Sequence, residues 1–135
     1  SRGRLTAQAA AARKLAIEAA RLAADDQCED ILVLDLRDMS PVCDYFMIAT
    51  GTSDRQMRAV ADHIEEMAAG MGESAYSVSG RMEGNWIVID FVDTVIHLFD
   101  PDHRRYYDLE MLWGDAPKVR WQSRAKKTGV GAAKE

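Results

Sequence analysis

The chain has 135 residues, of which 47% are hydrophobic and 29% charged, and its formal net charge is −5. This length and apolar content predict one globular domain with its own core, and they exclude a disordered chain or a small scaffold that depends on disulfides. Its two cysteines, Cys28 and Cys43, are too few for a disulfide framework or a zinc site, and they are typical of a reducing compartment.

The charge is distributed unevenly and divides the chain into three segments. Residues 1–24 carry five Lys/Arg and one Glu, and residues 118–135 carry six Lys/Arg and one Glu. Residues 25–117 carry twenty Asp/Glu against six Lys/Arg, a net charge of −14. Because such a body repels phosphate backbones and attracts basic surfaces, we expect its partner to be a basic protein rather than naked DNA or RNA.

The same composition bears on location. No apolar run approaches the roughly 20 residues that a membrane helix needs, and no secretory hydrophobic region is visible, so no membrane partner is expected. The Arg- and Ala-rich start loosely resembles an organelle transit peptide, although a helix of the fold explains it as well. We therefore expect a cytoplasmic protein, with an organellar matrix as the alternative.

The first elements in chain order are a helix and two strands. Residues 5–24 are rich in alanine and predict a helix, because apolar side chains recur on one face. Continuous apolar runs at 31–34 and 45–49 predict strands that are covered on both faces. The basic segment 1–24 is thus interpreted as the N-terminal helix of the fold, followed by an acidic α/β body over 25–117.

A second helix and a weaker strand follow. Ser53, with Gln56 three residues later, fits a capping box that opens a helix, and Gly70 with Gly72 ends that helix. Its apolar side chains form one stripe. Residues 76–79 predict a short third strand.

Residues 85–91 and 94–99 alternate and predict a β-hairpin, with a turn at Val92-Asp93 or at Asp93-Thr94. One face is wholly apolar and consists of Ile87, Ile89, Phe91, Ile96 and Leu98. The other consists of Trp86, Val88, Asp90, Val95, His97 and Phe99. A buried carboxylate and imidazole must pair or stay hydrated, so this second face is either a half-covered core with one polar pair or an exposed docking surface. Both alternatives stay open.

Residues 104–113 predict a closing helix that is too apolar for a single buried stripe. One set of side chains must pack on the sheet, and the rest is either an exposed interaction surface or buried in a groove. The segment 118–135 lacks apolar periodicity and is predicted to be a disordered basic tail. Helices that alternate with strands predict the α/β class, as a single domain with a mixed β-sheet covered by helices.

Catalytic arrangements fit poorly. Ser53, His97 and Asp90 could form a hydrolytic triad, but the sequence around Ser53 lacks the Gly-x-Ser-x-Gly elbow, and the cap role explains this serine. A nucleotidyl-transfer reaction is a somewhat better alternative, because Gly51-Thr52-Ser53 at a helix N-terminus could hold a phosphate. The carboxylate pair that would bind its metal is missing from the following strand.

Metal and cofactor sites are also not predicted. The three histidines show no pair at the i, i+4 spacing, and the methionines fall mainly at helical core spacing. We therefore expect no catalytic residue, no metal ligand and no cofactor.

Several fragments, taken in order, carry a family resemblance over roughly residues 10–117. They are Asp30-Ile31, Val33-Leu34-Asp35, Asp44-Tyr45-Phe46 through Gly51, Ser53 and Gln56, Glu83-Gly84-x-Trp86, Asp90, Val95-Ile96-His97-x-Phe99, and Arg104-x-x-Tyr107-x-Leu109-Glu110-x-Leu112-Trp113-Gly114-Asp115-Ala116-Pro117. In this order and spacing the chain resembles the ribosomal silencing factor family, also called Iojap-like. It departs from the family pattern in the basic tail after about residue 120 and in the doubled Arg104-Arg105.

The resemblance implies a non-enzymatic translational repressor with a nucleotidyltransferase-like fold that lacks the catalytic acids. Family members bind the large ribosomal subunit through a basic protein on its intersubunit side, the fourteenth in the universal large-subunit naming. They thereby block joining of the small subunit when nutrients are short, and some members form homodimers. The partner-binding residues that the resemblance implies are Trp86, His97, Phe99, Arg104, Tyr107, Glu110, Leu112 and Trp113. A metal-dependent nucleotidyltransferase that uses the Gly51-Thr52-Ser53 turn is the alternative function.

Overall fold

The computed structural model describes residues 5–122. Its helices are α1 (Ala7–Asp25), α2 (Asp54–Gly70), α3 (Pro101–Tyr107) and α4 (Leu109–Leu112), and its strands are β1 (Glu29–Asp35), β2 (Tyr45–Thr50), β3 (Ser77–Ser79), β4 (Trp86–Asp90) and β5 (Thr94–Phe99). The strands form one sheet in the order β1-β2-β5-β4-β3, in which β2 and β5 are parallel and the other neighbours antiparallel. The predicted α/β domain with a mixed sheet is confirmed. Among residues 5–122, no helix is both long and apolar enough to span a bilayer.

Helices α1 and α2 cover one face of the sheet, which we call the first face. Alanine fills the buried stripe of α1, and side chains this small let the helix backbone lie close to the strands. The apolar hairpin face predicted from the sequence lies here, and its members Ile87, Ile89, Phe91, Ile96 and Leu98 are all buried in the main core.

The predicted capping box of α2 is present, but its second hydrogen bond involves the residue before the cap. Ser53 Oγ accepts a hydrogen bond from the Gln56 amide at 3.0 Å, as in a capping box. Gln56 Oε1, however, accepts from the Thr52 amide at 2.6 Å, and its Nε2 donates to the Asp26 carbonyl at 2.8 Å. Gln56 therefore joins the start of α2 to the end of α1.

The hairpin adopts the first of the two predicted turns. The Phe91 amide donates to the Thr94 carbonyl at 2.9 Å, which leaves Val92 and Asp93 as the turn residues. Val92 has φ +77°, and the Asp90 side chain accepts a hydrogen bond from its amide at 2.7 Å. This turn sets Trp86 opposite Phe99 and Val88 opposite His97.

The prediction of one closing helix over 104–113 was wrong in its start and its continuity. The Asp100 side chain caps the Pro101 start by accepting from the His103 amide at 2.8 Å. Asp108 has φ +49°, and this left-handed conformation separates α3 from α4. Because of this break, the spacing of one continuous helix does not predict which side chains of residues 104–113 share a face.

Val33 and Leu34 of β1 are buried in the hydrophobic clusters on opposite faces of the sheet, as predicted, and β1, which lies at the edge of the sheet, also has a neighbour outside the named strands. That neighbour is the segment 117–122. The Asp35 amide donates to the Pro117 carbonyl at 2.9 Å, and the Val119 amide donates to the Val33 carbonyl at 2.8 Å. Val119 and Trp121 also pack against the main core. Residues 118–122 thus belong to the folded body rather than to the predicted tail, and residues 123–135 lie outside the described residues.

Candidate protein-binding surface

Three aromatic rings contact one another on the second face of the sheet and connect it to α3. Phe99, fully buried at the end of β5, stacks on Trp86 with ring centroids 4.9 Å apart and an interplanar angle of 22°. The indole of Trp86 in turn lies 4.5 Å from the ring of Tyr107, which is about half exposed. Phe99 cannot meet a partner directly, and it instead supports Trp86 from beneath.

His97 lies next to this stack and is only 6% exposed. Its Nδ1 accepts a hydrogen bond from Trp86 Nε1 at 3.1 Å, and its ring meets Phe46 edge-on at 4.5 Å. Burial lowers the pKa of His97 to about 4, so the ring is neutral at physiological pH.

The Asp90–His97 pair that the sequence suggested for the second face does not form. The Asp90 side chain accepts from the Val92 amide, whereas the partner of His97 is Trp86. The second face combines both predicted alternatives, because Phe99 and His97 are buried while Trp86 and Val95 are half-buried. It is a half-covered core with an open margin.

Helices α3 and α4 present apolar side chains to solvent. Leu109 and Trp113 pack against the second-face cluster, as expected for one set of the closing helix. The other set is exposed, with Tyr106 at 80%, Met111 at 79% and Leu112 at 69%. Apolar surface of this kind is typical of an interaction site. We call Trp86, Tyr106, Tyr107, Met111 and Leu112 the aromatic surface.

An ion pair between buried Arg104 and half-buried Glu110 fixes α3 and α4 in place. Arg104, 8% exposed, donates from Nε and Nη2 to Glu110 Oε2 at 3.0 and 2.9 Å. Its Nη1 donates to Thr50 Oγ1 at 2.8 Å and also to the Asp30 carbonyl. Arg104 and Glu110 were predicted as contact residues, but the structure engages both inside the chain. They position the aromatic surface against β1 and β2.

Beside the aromatic surface, the second face contains an open groove of about 550 Å³. Its walls are mostly apolar and consist of Ser40, Val42, Cys43, Phe46, Tyr76, Asp90, Val92, Val95, His97 and Trp113. His97 and Trp113 were predicted contact residues, and Asp90 and Val95 were placed on the candidate docking face, but the other lining residues were missed. Phe46 pairs directly with Val95 in the parallel β2–β5 ladder. Alternation in β2 could have placed Phe46 on the second face, but no local signal shows that β2 and β5 are neighbours.

The Gly51-Thr52-Ser53 turn has a structural explanation. The Gly51 amide donates to the Phe99 carbonyl at 2.8 Å, and the Thr52 amide donates to Gln56. A Cβ at Gly51 would lie 2.1 Å from Met57 Cγ, so glycine is required here for close packing of α2. These two N–H groups are occupied and do not face a phosphate.

The hydrolytic triad that the sequence disfavoured is not assembled either. Ser53 caps α2, His97 accepts from Trp86, and Asp90 accepts from Val92. Within residues 5–122, no three His, Cys, Asp or Glu side chains are grouped as metal ligands.

Comparison with known proteins gives a consistent family. The protein-family model described as "Ribosomal silencing factor during starvation" matches residues 9–135. Ribosomal silencing factor RsfS of Bacillus subtilis is 43% identical over 106 residues, which are 78% of this chain and 90% of that protein. The chloroplastic protein Iojap of Arabidopsis thaliana is 35% identical over 107 residues, 77% of this chain and 43% of the longer plant protein.

A solved structure agrees with the sequence matches. A crystal structure of a Chromobacterium violaceum protein superposes with a TM-score of 0.69 at 34% identity, and the match covers 85% of this chain and 92% of that one. Similarity over most of both chains and the family match over residues 9–135 confirm the resemblance found in the sequence. The chain belongs to the ribosomal silencing factor family.

Proposed function

We propose that this chain represses translation by binding the large ribosomal subunit and blocking its joining to the small subunit. Its contact on the subunit would be the basic ribosomal protein numbered fourteen in the universal large-subunit naming. Family membership supports a ribosome-associated repressor that is not an enzyme. The observation that carries the proposal is the exposed aromatic surface on a body with a net charge of −14 over residues 25–117.

The aromatic surface supplies the affinity in this proposal. Tyr107 and Leu112 are exposed enough to be desolvated by a partner, and aromatic anchors that become buried dominate the energy of many interfaces. Tyr107 is held in place by its tilted ring contact with Trp86, so little rotamer entropy is lost on binding. Phe99, Arg104 and Glu110 act beneath this surface as positioning residues.

The acidic body supplies the rate of encounter. Complementary charge accelerates association, and salt at physiological strength screens it over distances of about 8–10 Å. The association rate with large subunits should therefore fall steeply as salt rises, while the dissociation rate should change much less. Stopped-flow measurements at several ionic strengths separate the two rates.

The direct test is co-sedimentation with purified subunits, followed by a light-scattering assay of subunit joining. We expect binding to large but not small subunits, and inhibition of joining. Leu112→Arg places a cation on the aromatic surface, and it should weaken binding by about tenfold or more, in the range of a lost anchor. Met82→Arg is the matched control, because Met82 is 90% exposed on a loop outside the aromatic surface and the change in net charge is the same.

Two results would contradict the proposal. Equal binding to both subunits would contradict the assignment of the large subunit as partner. Binding without inhibition of subunit joining would contradict the steric mechanism. Equal losses for Leu112→Arg and Met82→Arg would show that net charge, rather than the aromatic surface, controls binding.

The proposal extends to location and assembly. The free thiols of Cys28 and Cys43 suit a reducing cytoplasm, which remains the proposed location. A homodimer is a second proposed state, and sedimentation equilibrium of the purified protein tests it over the concentrations that are used for subunit binding.

A further inference from the structure

The basic side chains of residues 5–122 differ in whether they have an acidic partner. Ion pairs within the chain engage Arg21, Arg37, Arg58, Arg81, Arg104 and Arg105. By contrast, Lys14, Arg55, Lys118 and Arg120 are exposed and form no ion pair with any of the described residues. Lys118 and Arg120 stand apart from the other two because they belong to one short segment. Two unpaired cations side by side are available to a partner, although residues 25–117 carry a net charge of −14.

These two cations lie on the segment 117–122, which pairs with the open edge of β1. Side chains of an extended segment point alternately to its two sides. Val119 and Trp121 are half-buried and pack against the main core. Lys118 and Arg120 occupy the alternate positions and are exposed. The same pairing that buries the apolar side chains therefore directs both cations to solvent.

The backbone of this segment is anchored at both ends. The Trp121 carbonyl accepts a hydrogen bond from Arg21 Nε at 2.7 Å, and Lys118 forms an antiparallel bridge with Leu34 of β1. A cavity of about 270 Å³ lies between the segment and residues 31–33, and none of the described residues that line it is acidic. The cations therefore have a fixed place, and no carboxylate in this cavity neutralises them.

The charge of this edge selects the class of partner. A basic ribosomal protein would repel Lys118 and Arg120, whereas the phosphates of RNA would attract them. Outward side chains two residues apart on an extended segment are separated by about 7 Å, so both can contact phosphates of one RNA strand. The guanidinium of Arg120 can also donate to two phosphate oxygens at once. Residues 123–135 follow with four Lys/Arg against one Glu, so the sequence stays basic beyond this edge.

We propose that Lys118 and Arg120, which we call the basic edge, bind the phosphate backbone of ribosomal RNA on the large subunit. This inference rests on the proposed function, because it adds an RNA contact to the same complex. The acidic body would repel RNA elsewhere, so the contact is confined to one edge of the sheet. Phosphate contacts of this kind fix orientation rather than sequence, and here they would orient the chain on the subunit.

A matched pair of substitutions tests the basic edge. Arg120→Gln and Arg55→Gln each remove one exposed arginine without an ion pair, and Arg55 lies in the first turn of α2, outside the basic edge. We expect Arg120→Gln to weaken binding to large subunits about fivefold at low salt. The slope of log affinity against log salt should fall by about 1, as for one lost phosphate contact. Arg55→Gln makes the chain more acidic and should bind at least as tightly as the original protein.

A double variant extends this test. Lys118→Gln together with Arg120→Gln should lower the salt slope by about 2 and weaken binding further than Arg120→Gln alone. Both side chains are exposed, so the melting temperature should equal that of the original protein. If net charge alone controlled binding, the double variant would bind more tightly, because it is more acidic and the protein partner is basic. The sign of the change therefore decides between the two explanations.

Directed cleavage identifies the class of molecule at the basic edge. Gln122→Cys, at an exposed position beside Arg120, carries a tethered iron chelate whose hydroxyl radicals cleave nearby RNA. Met82→Cys, labelled in the same way, is the control at an exposed position outside the basic edge. The labelled original protein reports the background from its free thiols. We expect cleavage of ribosomal RNA in large subunits from position 122 and only background from position 82.

The outcomes separate this inference from the proposed function. Failure of the original protein to bind large subunits would overturn the proposed function, and this inference with it. If the original protein binds and Leu112→Arg weakens binding, but Arg120→Gln binds as tightly as Arg55→Gln, only this inference is overturned. A loss for Arg120→Gln without RNA cleavage from position 122 would assign the basic edge to an acidic protein surface, and the RNA contact would again be overturned.

Discussion

The two faces of the sheet are built from the same strands but are completed in different ways. His97 and Leu98 are neighbours in β5, yet Leu98 is buried among aliphatic side chains under α1 and α2, whereas His97 hydrogen-bonds to Trp86 beside an open groove. The first face requires only apolar side chains of suitable size. The second face requires rings, an ion pair and directed hydrogen bonds, and its cover remains partial. Stability should therefore reside mainly on the first face and binding on the second.

The largest expected effect is on the first face. Leu98→Ala removes a fully buried side chain and leaves a cavity between the sheet and the helices. It should lower the free energy of unfolding by about 2–5 kcal/mol, which is typical of such truncations. Urea denaturation measures the change. Affinity for large subunits, corrected for the folded fraction, should stay unchanged, and a specific loss of affinity would contradict the division between the faces.

Arg104→Ala should lower the free energy of unfolding by about 3 kcal/mol, because this change leaves the Glu110 carboxylate without its buried partner. Glu110→Gln retains a hydrogen-bonding group for Arg104 and should cost less. Glu110→Lys, at a residue that the family resemblance assigned to the partner contact, would set two cations together, so its effect on binding follows from a displaced α4. Thermal melts of all three variants check this order, and an unchanged melting temperature for Arg104→Ala would contradict it.

The pH dependence of stability should depend on His97. Its pKa falls from an ordinary 6.5 to about 4 in the folded chain, so the unfolded chain takes up the proton first as pH decreases. Stability is then lost between pH 6.5 and 4, by about 2 kcal/mol at pH 5. His97→Asn should lack this component when unfolding is measured from pH 7 to 4.5.

His63 acts in the opposite direction and serves as an internal check. A hydrogen bond from its ring to Asp26 raises the pKa of His63, so its contribution is present below pH 6.5 and is lost as pH rises through the raised value. His63→Asn should therefore alter the neutral side of the profile and leave the acidic loss intact. An acidic loss that persists in His97→Asn would show that carboxylates cause it.

Trp86→Phe should lower the free energy of unfolding by a smaller amount, about 1 kcal/mol. The phenyl ring can keep the stack between Phe99 and Tyr107, but the donor to His97 Nδ1 is lost. Trp86→Ala removes the stack as well and should cost clearly more. The difference between the two melting temperatures measures the share that packing contributes. Equal losses would show that the hydrogen bond contributes most of it.

The sequence predicted the first face better than the second for a physical reason. Periodicity of 2 in the hairpin and of 3.6 in α2 identified Ile87, Ile96 and their neighbours, because burial between a sheet and a helix leaves a local pattern. The Arg104–Glu110 pair, the Phe46–Val95 contact and the Val119 cover of β1 join segments that are distant in sequence or separated by a left-handed residue. Local sequence patterns therefore do not predict these contacts.

The smallest effect on stability is expected for Leu112→Ala, the same substitution as Leu98→Ala made on the aromatic surface. Leu112 is 69% exposed, so its truncation leaves no cavity and should change the free energy of unfolding by less than about 0.5 kcal/mol. Under the proposed function it should nevertheless reduce affinity for large subunits, by about 1–2 kcal/mol, because binding would bury the side chain. The two leucine variants therefore exchange roles: one loses stability at constant intrinsic affinity, and the other loses affinity at constant stability. Urea denaturation and subunit binding, measured on the same preparations, test the exchange, and a Leu112→Ala variant that binds normally would exclude this part of α4 from the contact.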